Sequence, residues 1–341
     1  GGLLGYTFPA MTDTQHLIEL VDRFSETRVT LYGDLVLDRF ILATPKRISR
    51  EAPVIILRHE GERDVPGGGA NALANLAALG TAVTAVAAVG TDDNGRALGG
   101  ALDAGGVDTS LIVTVEGYRT PTKVRILGGG PSSLKHQVAR YDIEDELGGD
   151  GAWRTHLADN LRQAAMDSAA VAISDYGYGC VQPEAIDSVL RDRSRWPCLD
   201  SRYRIGSFAG VSGATPNLEE LEMYCGRRLG SDDEVAAGAE SLRVALDARF
   251  VLATRGNQGM TIVEAGRPAV HLPVFGTDEV ADVTGAGDTV LAVLTAALAA
   301  GADIEEAARL ANMAAGLVVM KLGTATIAPD ELRAAVLTAA S

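Results

Sequence analysis

Asp282-Val283-Thr284-Gly285-Ala286-Gly287-Asp288-Thr289, running into the apolar stretch Val290 to Ala300, sets an acidic residue one step behind a glycine-hinged turn that opens a helix. The residues after the turn are almost wholly apolar helix formers, so the spacing predicts the N-terminus of a buried helix. A helix start offers unpaired N–H groups and the positive end of its dipole to any anion placed there. Gly285 and Gly287 let the backbone approach such an anion, and Asp288 points a carboxylate at the same spot. The set suits phosphoryl transfer: the carboxylate takes the proton of an attacking hydroxyl while the N–H groups hold the charge on the transferred group. The same spacing also serves a plain helix start, with Asp288 interacting only with the dipole.

Outward from this turn, short apolar runs at Val29 to Tyr32, Val83 to Val89, Ala170 to Ser174, Pro197 to Asp200 and Phe250 to Thr254 alternate with helical patterns. Runs that are apolar along their whole length belong to strands covered on both faces, so the fold class is α/β, a doubly wound, mostly parallel sheet flanked by helices. Phe40 to Arg63 and Tyr118 to Tyr141 break the rhythm by alternating charged and β-branched residues, as half-exposed strands do. They are expected to meet as a small β-sheet lid over the C-terminal edge of the large sheet, with Gly128-Gly129-Gly130-Pro131 as a hairpin tip. One domain is expected over residues 29–341. Residues 1–28 are expected as an N-terminal extension, of which Gly1 to Ala10 reads as an added leader ahead of Met11.

The chain has 341 residues and a formal net charge of −15, which leaves no electrostatic footprint for nucleic acid and disfavours anionic membranes. Its longest apolar run falls short of the roughly 20 residues that span a bilayer. Cys180, Cys198 and Cys225 form no C-x-x-C pair, which points to a reducing cytoplasm rather than a disulfide framework or zinc site. The five histidines show no metal-binding spacing. No P-loop occurs either: the nearest string, Gly90 to Gly95, is followed by Arg96 and Ala97.

Four further strings carry possible chemistry. Gly33-Asp34-Leu35-Val36-Leu37-Asp38 ends the first strand, where ligands of open α/β sheets bind, and Asp34 and Asp38 suit sugar hydroxyls or else form an exposed loop pair. Pro66-Gly67-Gly68-Gly69-Ala70-Asn71 formally contains G-x-G-x-x-A with Asp92 following, but polar Arg63-Asp64-Val65-Pro66 is not the hydrophobic strand a dinucleotide fingerprint needs. The remaining readings are a close approach of a small polar ligand, with Asn71 supplying an amide, and a structural glycine turn. Asn217 and Glu220, three apart on a first helical turn, either hold a hydrated Mg²⁺ beside nucleotide phosphates or form a capping box. Thr254-Arg255-Gly256-Asn257-Gln258-Gly259 either admits phosphates to its amides, with Arg255 adding charge, or makes a tight hairpin to Thr261-Ile262-Val263.

Taken in order, these residues resemble the ribokinase-like sugar kinases of the phosphofructokinase B family over about Val29 to Leu332. Gly67 to Asn71 resembles the first family signature and Asp282 to Asp288 the second. The resemblance implies that Asp288 is the catalytic base and that Gly285, Ala286 and Gly287 form the anion hole. It places Asp38, Gly67, Gly68, Asn71 and Asp175 on the sugar, Asn217 and Glu220 on Mg²⁺ and phosphate, and Thr254, Gly256 and Asn312 on the nucleotide. Asp282 and Thr284 fall where members often hold a monovalent cation such as K⁺. Within the family, Arg47-Ile48-Ser49-Arg50-Glu51-Ala52-Pro53-Val54, Ser174-Asp175-Tyr176, and Ala311-Asn312 through Lys321-Leu322-Gly323-Thr324 are most similar to kinases of D-glycero-D-manno-heptose 7-phosphate. Two positions depart from that pattern: Tyr178 stands where a lysine is usual, and Asp200-Ser201-Arg202 replaces Asp-Pro-Lys. Arginine is no simple stand-in for lysine.

The expectation is an ATP- and Mg²⁺-dependent kinase that phosphorylates the anomeric hydroxyl of a sugar phosphate to give the 1,7-bisphosphate. Lys123, Arg125 or Arg202 is expected on the substrate's existing phosphate. With no room for a nucleotidylyltransferase domain, only the kinase step is expected, and exposed lid strands are expected to pair two copies. The rivals are a kinase for another sugar or nucleoside, a non-catalytic sugar or nucleotide sensor, and, on the Gly67 string alone, a dinucleotide-dependent oxidoreductase.

Overall fold

The computed structural model describes residues 11–130, 135–148, 151–190, 192, 194–276, 282–321 and 323–339. The first ten residues and Pro131 of the expected hairpin tip lie outside them, as does Leu322 of the string that ends at Thr324. In chain order the elements are α1 (Met11–Asp22), β1 (Arg28–Gly33), β2 (Leu35–Ile48), β3 (Ile55–Gly68), α2 (Gly69–Ala78), β4 (Ala82–Gly90), α3 (Asp93–Ala104), β5 (Asp108–Val115), β6 (Thr122–Gly128) and β7 (His136–Ile143). Then come α4 (Ala152–Met166), β8 (Ala170–Asp175), α5 (Pro183–Leu190), β9 (Trp196–Ser201), β10 (Gly213–Ala214), α6 (Leu218–Cys225) and α7 (Asp232–Ala245). The last are β11 (Phe250–Thr254), β12 (Met260–Glu264), β13 (Val270–Leu272), α8 (Ala286–Ala299), α9 (Ile304–Val318) and α10 (Pro329–Ala339).

The large sheet runs β13-β12-β11-β10-β9-β8-β1-β4-β5 and is parallel from β11 to β5, with β12 and β13 added antiparallel at one edge. Val29, Leu31, Ala170 to Ile173 and Phe250 to Ala253 are all buried, the two-sided cover expected of apolar strands. Helix α8 is buried from Asp288 to Leu298 and packs against α2, α9, β8 and β9. Its Thr295 hydroxyl is satisfied by the Leu291 carbonyl at 2.6 Å, which lets a polar residue sit in this apolar run.

A second sheet, ordered β3-β2-β6-β7, is the lid. It extends beyond the expected limits because Leu35, Val36 and Leu37 are fully buried where the ribbon leaves the core, so no alternation marks the start of β2. The glycine run therefore follows a strand, but one paired antiparallel with β2, with Pro66 opposite Leu37 on an edge strand where a missing N–H is tolerated. Residues 11–28, read as an extension, belong to the body: Leu17, Leu20, Val21 and Phe24 are core residues.

Candidate active site

A cleft of about 420 Å³ opens between the C-terminal edge of the large sheet and the lid. One wall is the start of α8: Gly285 caps the helix in the left-handed region at φ 81°, and Asp288 lies in the first turn, 4% exposed, at the cleft wall. Each carboxylate oxygen of Asp288 has a donor. Asn71 Nδ2 donates to Oδ2 at 3.0 Å, and the Tyr176 hydroxyl donates to Oδ1 at 2.8 Å. Burial pushes the Asp288 carboxyl up to about 6, while these two hydrogen bonds and the nearby Lys123 ammonium hold it down. A carboxyl at that level is ionised near neutral pH yet basic enough to accept a proton.

Asn71 is oriented by its own neighbours. It sits on the first turn of α2, its side-chain oxygen accepts from Asn75 Nδ2 at 3.3 Å, and its amide also reaches the Gly285 carbonyl at 3.3 Å. A side chain at Gly285 would strike that amide, so the turn needs glycine both for its φ and for the approach of Asn71.

The cleft also carries basic side chains. Lys123 and Arg125 from β6 and Arg140 from β7 face the cleft beside Arg202, which follows β9. Arg125 pairs with the buried carboxylate of Asp38, and Lys123 lies over the Tyr176 ring, 5.3 Å from its centroid. Burial lowers the Lys123 pKa. Deeper in, Asp200 stands near Glu220, Asp288 and Asp175, and burial and then these like charges push its carboxyl well up. Arg140, Tyr176 and Asp200 carried no role in the sequence reading. Tyr176 and Asp200 sit at the C-terminal ends of β8 and β9, where the rule for open sheets would have flagged them; Arg140 lies on an exposed strand with no pattern to mark it.

At the nucleotide end, both readings of Asn217 and Glu220 coexist. Asn217 Oδ1 accepts from the Glu220 N–H and Glu220 Oε2 from the Asn217 N–H, each at 2.9 Å, which is a capping box, and both residues line the cleft. Thr254 bridges to Asn217 and lines the cleft with Gly287, Thr284 and Thr324, whose buried hydroxyl has no partner among the described residues.

Several expected site residues are elsewhere. Asp34 does not face the cleft: its Oδ2 accepts from the Tyr176 and Tyr178 N–H groups at 2.8 and 3.1 Å and its Oδ1 from Cys180 N–H at 3.0 Å. Gly69 spends its N–H on the Asp34 carbonyl at 3.0 Å, and Gly67 lies behind Asp38 rather than at the cleft. Asp175 borders the cleft, but its carboxylate is taken by Ser201 at 2.6 Å and by Arg204 at 2.8 and 3.0 Å. Arg255 turns to Asp232 at 2.7 Å and to Gln258, while Gly256 and Gly259 form the tight turn between β11 and β12; a side chain at Gly259 would collide with the Leu272 carbonyl. Asn312 donates to the Pro273 carbonyl at 2.8 Å. Asp282 braces its turn by accepting from the N–H groups of Thr284 at 2.9 Å and Gly323 at 3.1 Å.

The pfkB family carbohydrate kinase model matches residues 26–138 and 180–331. The chain belongs to this family. As a pfkB carbohydrate kinase it is 39% identical over 316 residues to the bifunctional protein HldE of Pseudomonas aeruginosa strain LESB58, and 40% identical to that of Halorhodospira halophila. Each match covers 92% of this chain and 64% of the relative, so the chain spans somewhat under two thirds of their length. Phosphofructokinase-2 from Escherichia coli in complex with potassium superposes at a TM-score of 0.74 with 21% identity, covering 92% of this chain and all of that one. Ribokinase from Arabidopsis thaliana, complexed with ribose and ATP, gives 0.70 with 20% identity over 92% and 98% of the two chains. These two likenesses show the ribokinase-like fold.

Among the described residues no helix is long and apolar enough to cross a membrane, and no group of three or more His, Cys, Asp or Glu residues is placed to hold a metal ion.

Proposed function

We propose that this kinase transfers the γ-phosphoryl group of ATP to the anomeric hydroxyl of D-glycero-D-manno-heptose 7-phosphate, in the cytoplasm. The observation that carries the reading is that Asp288, at the α8 N-terminus, lines one cleft together with Lys123, Arg125, Arg140 and Arg202. A sugar that already bears a phosphate fits between them, its dianion on the basic side chains and its reacting hydroxyl at the carboxylate. Asp288 takes the hydroxyl proton, the oxygen forms a bond to the γ-phosphorus, the bond from that phosphorus to the bridging oxygen breaks, and ADP leaves. The N–H groups that open α8, with Gly285 and Gly287 at the cleft wall, stabilise the transferring group.

Asn217 and Glu220 are the pair that would hold Mg²⁺, since that ion keeps several waters and needs few protein oxygens. When bound, it neutralises charge on the nucleotide phosphates. Exposed apolar side chains on the lid strands, including Ile48, Ile55, Val138 and Tyr141, support pairing of two copies through the lid.

A panel of acceptors assayed with Mg-ATP tests the substrate. Heptose 7-phosphate should turn over best and its dephosphorylated form poorly. Tyr178, whose hydroxyl donates to Glu144 at 2.9 Å, and the exchange to Arg202 favour keeping other sugar phosphates in the panel. Preference for an unphosphorylated sugar or a nucleoside would remove the heptose reading, and binding without ADP release would favour a sensor.

A further inference from the structure

We infer that Tyr176 is a positioning residue for the catalytic base, its phenol held in place by a loop that Asp34 pins from below. This rests on the reading of Asp288 as the base. A carboxylate on the first turn of a helix can rotate about its side-chain bonds, and nothing on α8 itself fixes it. Here two donors from two other elements do so: Asn71 of α2 on one oxygen and Tyr176, just after β8, on the other. The carboxylate plane is thereby set, with its remaining lone pairs available to a hydroxyl in the cleft that Asp288 and Tyr176 both line.

The phenol is itself located by an unusual support. Alternate N–H groups of Tyr176, Tyr178 and Cys180 converge on the single carboxylate of Asp34, 2% exposed, and the intervening Gly177 and Gly179 take φ of 82° and 89° to let the chain coil round it. Gly68 packs under the Tyr176 ring and Lys123 lies over it. Contrast Tyr32, whose hydroxyl donates to the Cys180 carbonyl at 2.7 Å and accepts from Gln182 N–H at 2.9 Å. That phenol joins backbone to backbone, whereas the Tyr176 phenol is spent on the reacting group. The charged groups that face Asp288 are Lys123 of β6, Asp38 of β2 and Asp200 of β9, with Arg202 beyond. None of them donates a hydrogen bond to Asp288, which among the described residues leaves its orientation to Asn71 and Tyr176.

The test compares Tyr176→Phe, Asp34→Asn and the double variant. Tyr176→Phe should lower kcat by roughly 10-fold or more while KM for acceptor and ATP stays within about threefold. Because the phenol stabilises the ionised carboxylate, its loss should also move the Asp288 titration, followed by ¹³C NMR on the resting protein and assigned with Asp288→Asn, to higher pH. Asp34→Asn should move both readouts the same way, and the double variant should lose little beyond the larger single loss, since Asp34 acts through Tyr176. Should Asp34→Asn fail to fold, Tyr176→Phe decides alone. A kcat within about twofold of wild type together with an unmoved titration would overturn the inference. The titration needs no substrate, so a wild-type protein that phosphorylates nothing would sink the proposed function while the NMR readout still decides the clamp.

Discussion

The two walls of the cleft are built on opposite principles. On the sheet side, Asp288 opens a helix buried from that residue to Leu298, and its two hydrogen-bond partners are fixed by further buried contacts. On the lid side, Lys123 and Arg125 stand on the buried to half-buried strand β6, whereas Arg140 stands on β7, exposed along nearly its whole length, and is paired with Asp142, two residues along the same strand. On the proposed reading, reaction geometry is carried by core packing and recognition of the acceptor by a four-stranded sheet whose outer strand β7 is solvated. Chemistry demands tight placement, since a small displacement of a base is costly, whereas phosphate recognition tolerates adjustment.

The largest effect should come from the packed wall. Asp288→Asn should reduce kcat by about 10² to 10⁴ with the fold retained, measured by steady-state kinetics alongside circular dichroism. Near wild-type turnover would erase the contrast by removing the base. On the lid, Lys123→Gln should instead raise KM for a phosphorylated acceptor by roughly 10-fold to 100-fold, the scale of one charge-assisted hydrogen bond, with a smaller change in kcat. A loss in kcat alone would mean that the lid, too, works on the reacting atoms.

The acidic limb of the kcat/KM profile sharpens the same comparison. With the Asp288 carboxyl pushed up to about 6, activity should fall as pH drops through that value, and the limb should be abolished, along with most of the activity, in Asp288→Asn. The same burial has a stability counterpart. The carboxyls of Asp34 and Asp288 are each raised to about 6 from ordinary values near 4, so the folded state binds their protons more tightly than the unfolded chain. Their contribution is therefore fully present below about pH 4 and is lost as pH rises through about 6. Asp288→Asn should accordingly raise Tm more at pH 7.5 than at pH 4, by an amount worth about 1–3 kcal/mol at the higher pH. An equal change at both pH values would show that packing, not charge burial, governs the site.

How much of this was legible in the chain follows from which interactions are local. The five apolar strands and α8 announce themselves because burial on both faces, or all round, leaves a continuous apolar run at Val29, Val83, Ala170, Pro197, Phe250 and Val290. The two-residue β10 and the edge strand β13 were silent, being too short to show a period. Asp288 was legible since its partners, the glycines, adjoin it. The work of Asp34 was not: it holds N–H groups more than 140 residues away, and no spacing in the sequence ties residue 34 to residue 176. Asn217 and Glu220 show the middle case, where one i, i+3 pattern correctly signalled a helix cap while also bordering the cleft.

Gly67 adopts an ordinary backbone conformation, outside the set of glycines with positive φ. What it supplies is vacancy: a methyl group there would run into the Asp38 carboxylate. A glycine of this kind reports the bulk of its neighbour across the ribbon, not the passage of a ligand or the swing of a hinge. Shortening the neighbour should relax the demand, so that alanine at 67 becomes tolerable only in company with a smaller residue at 38.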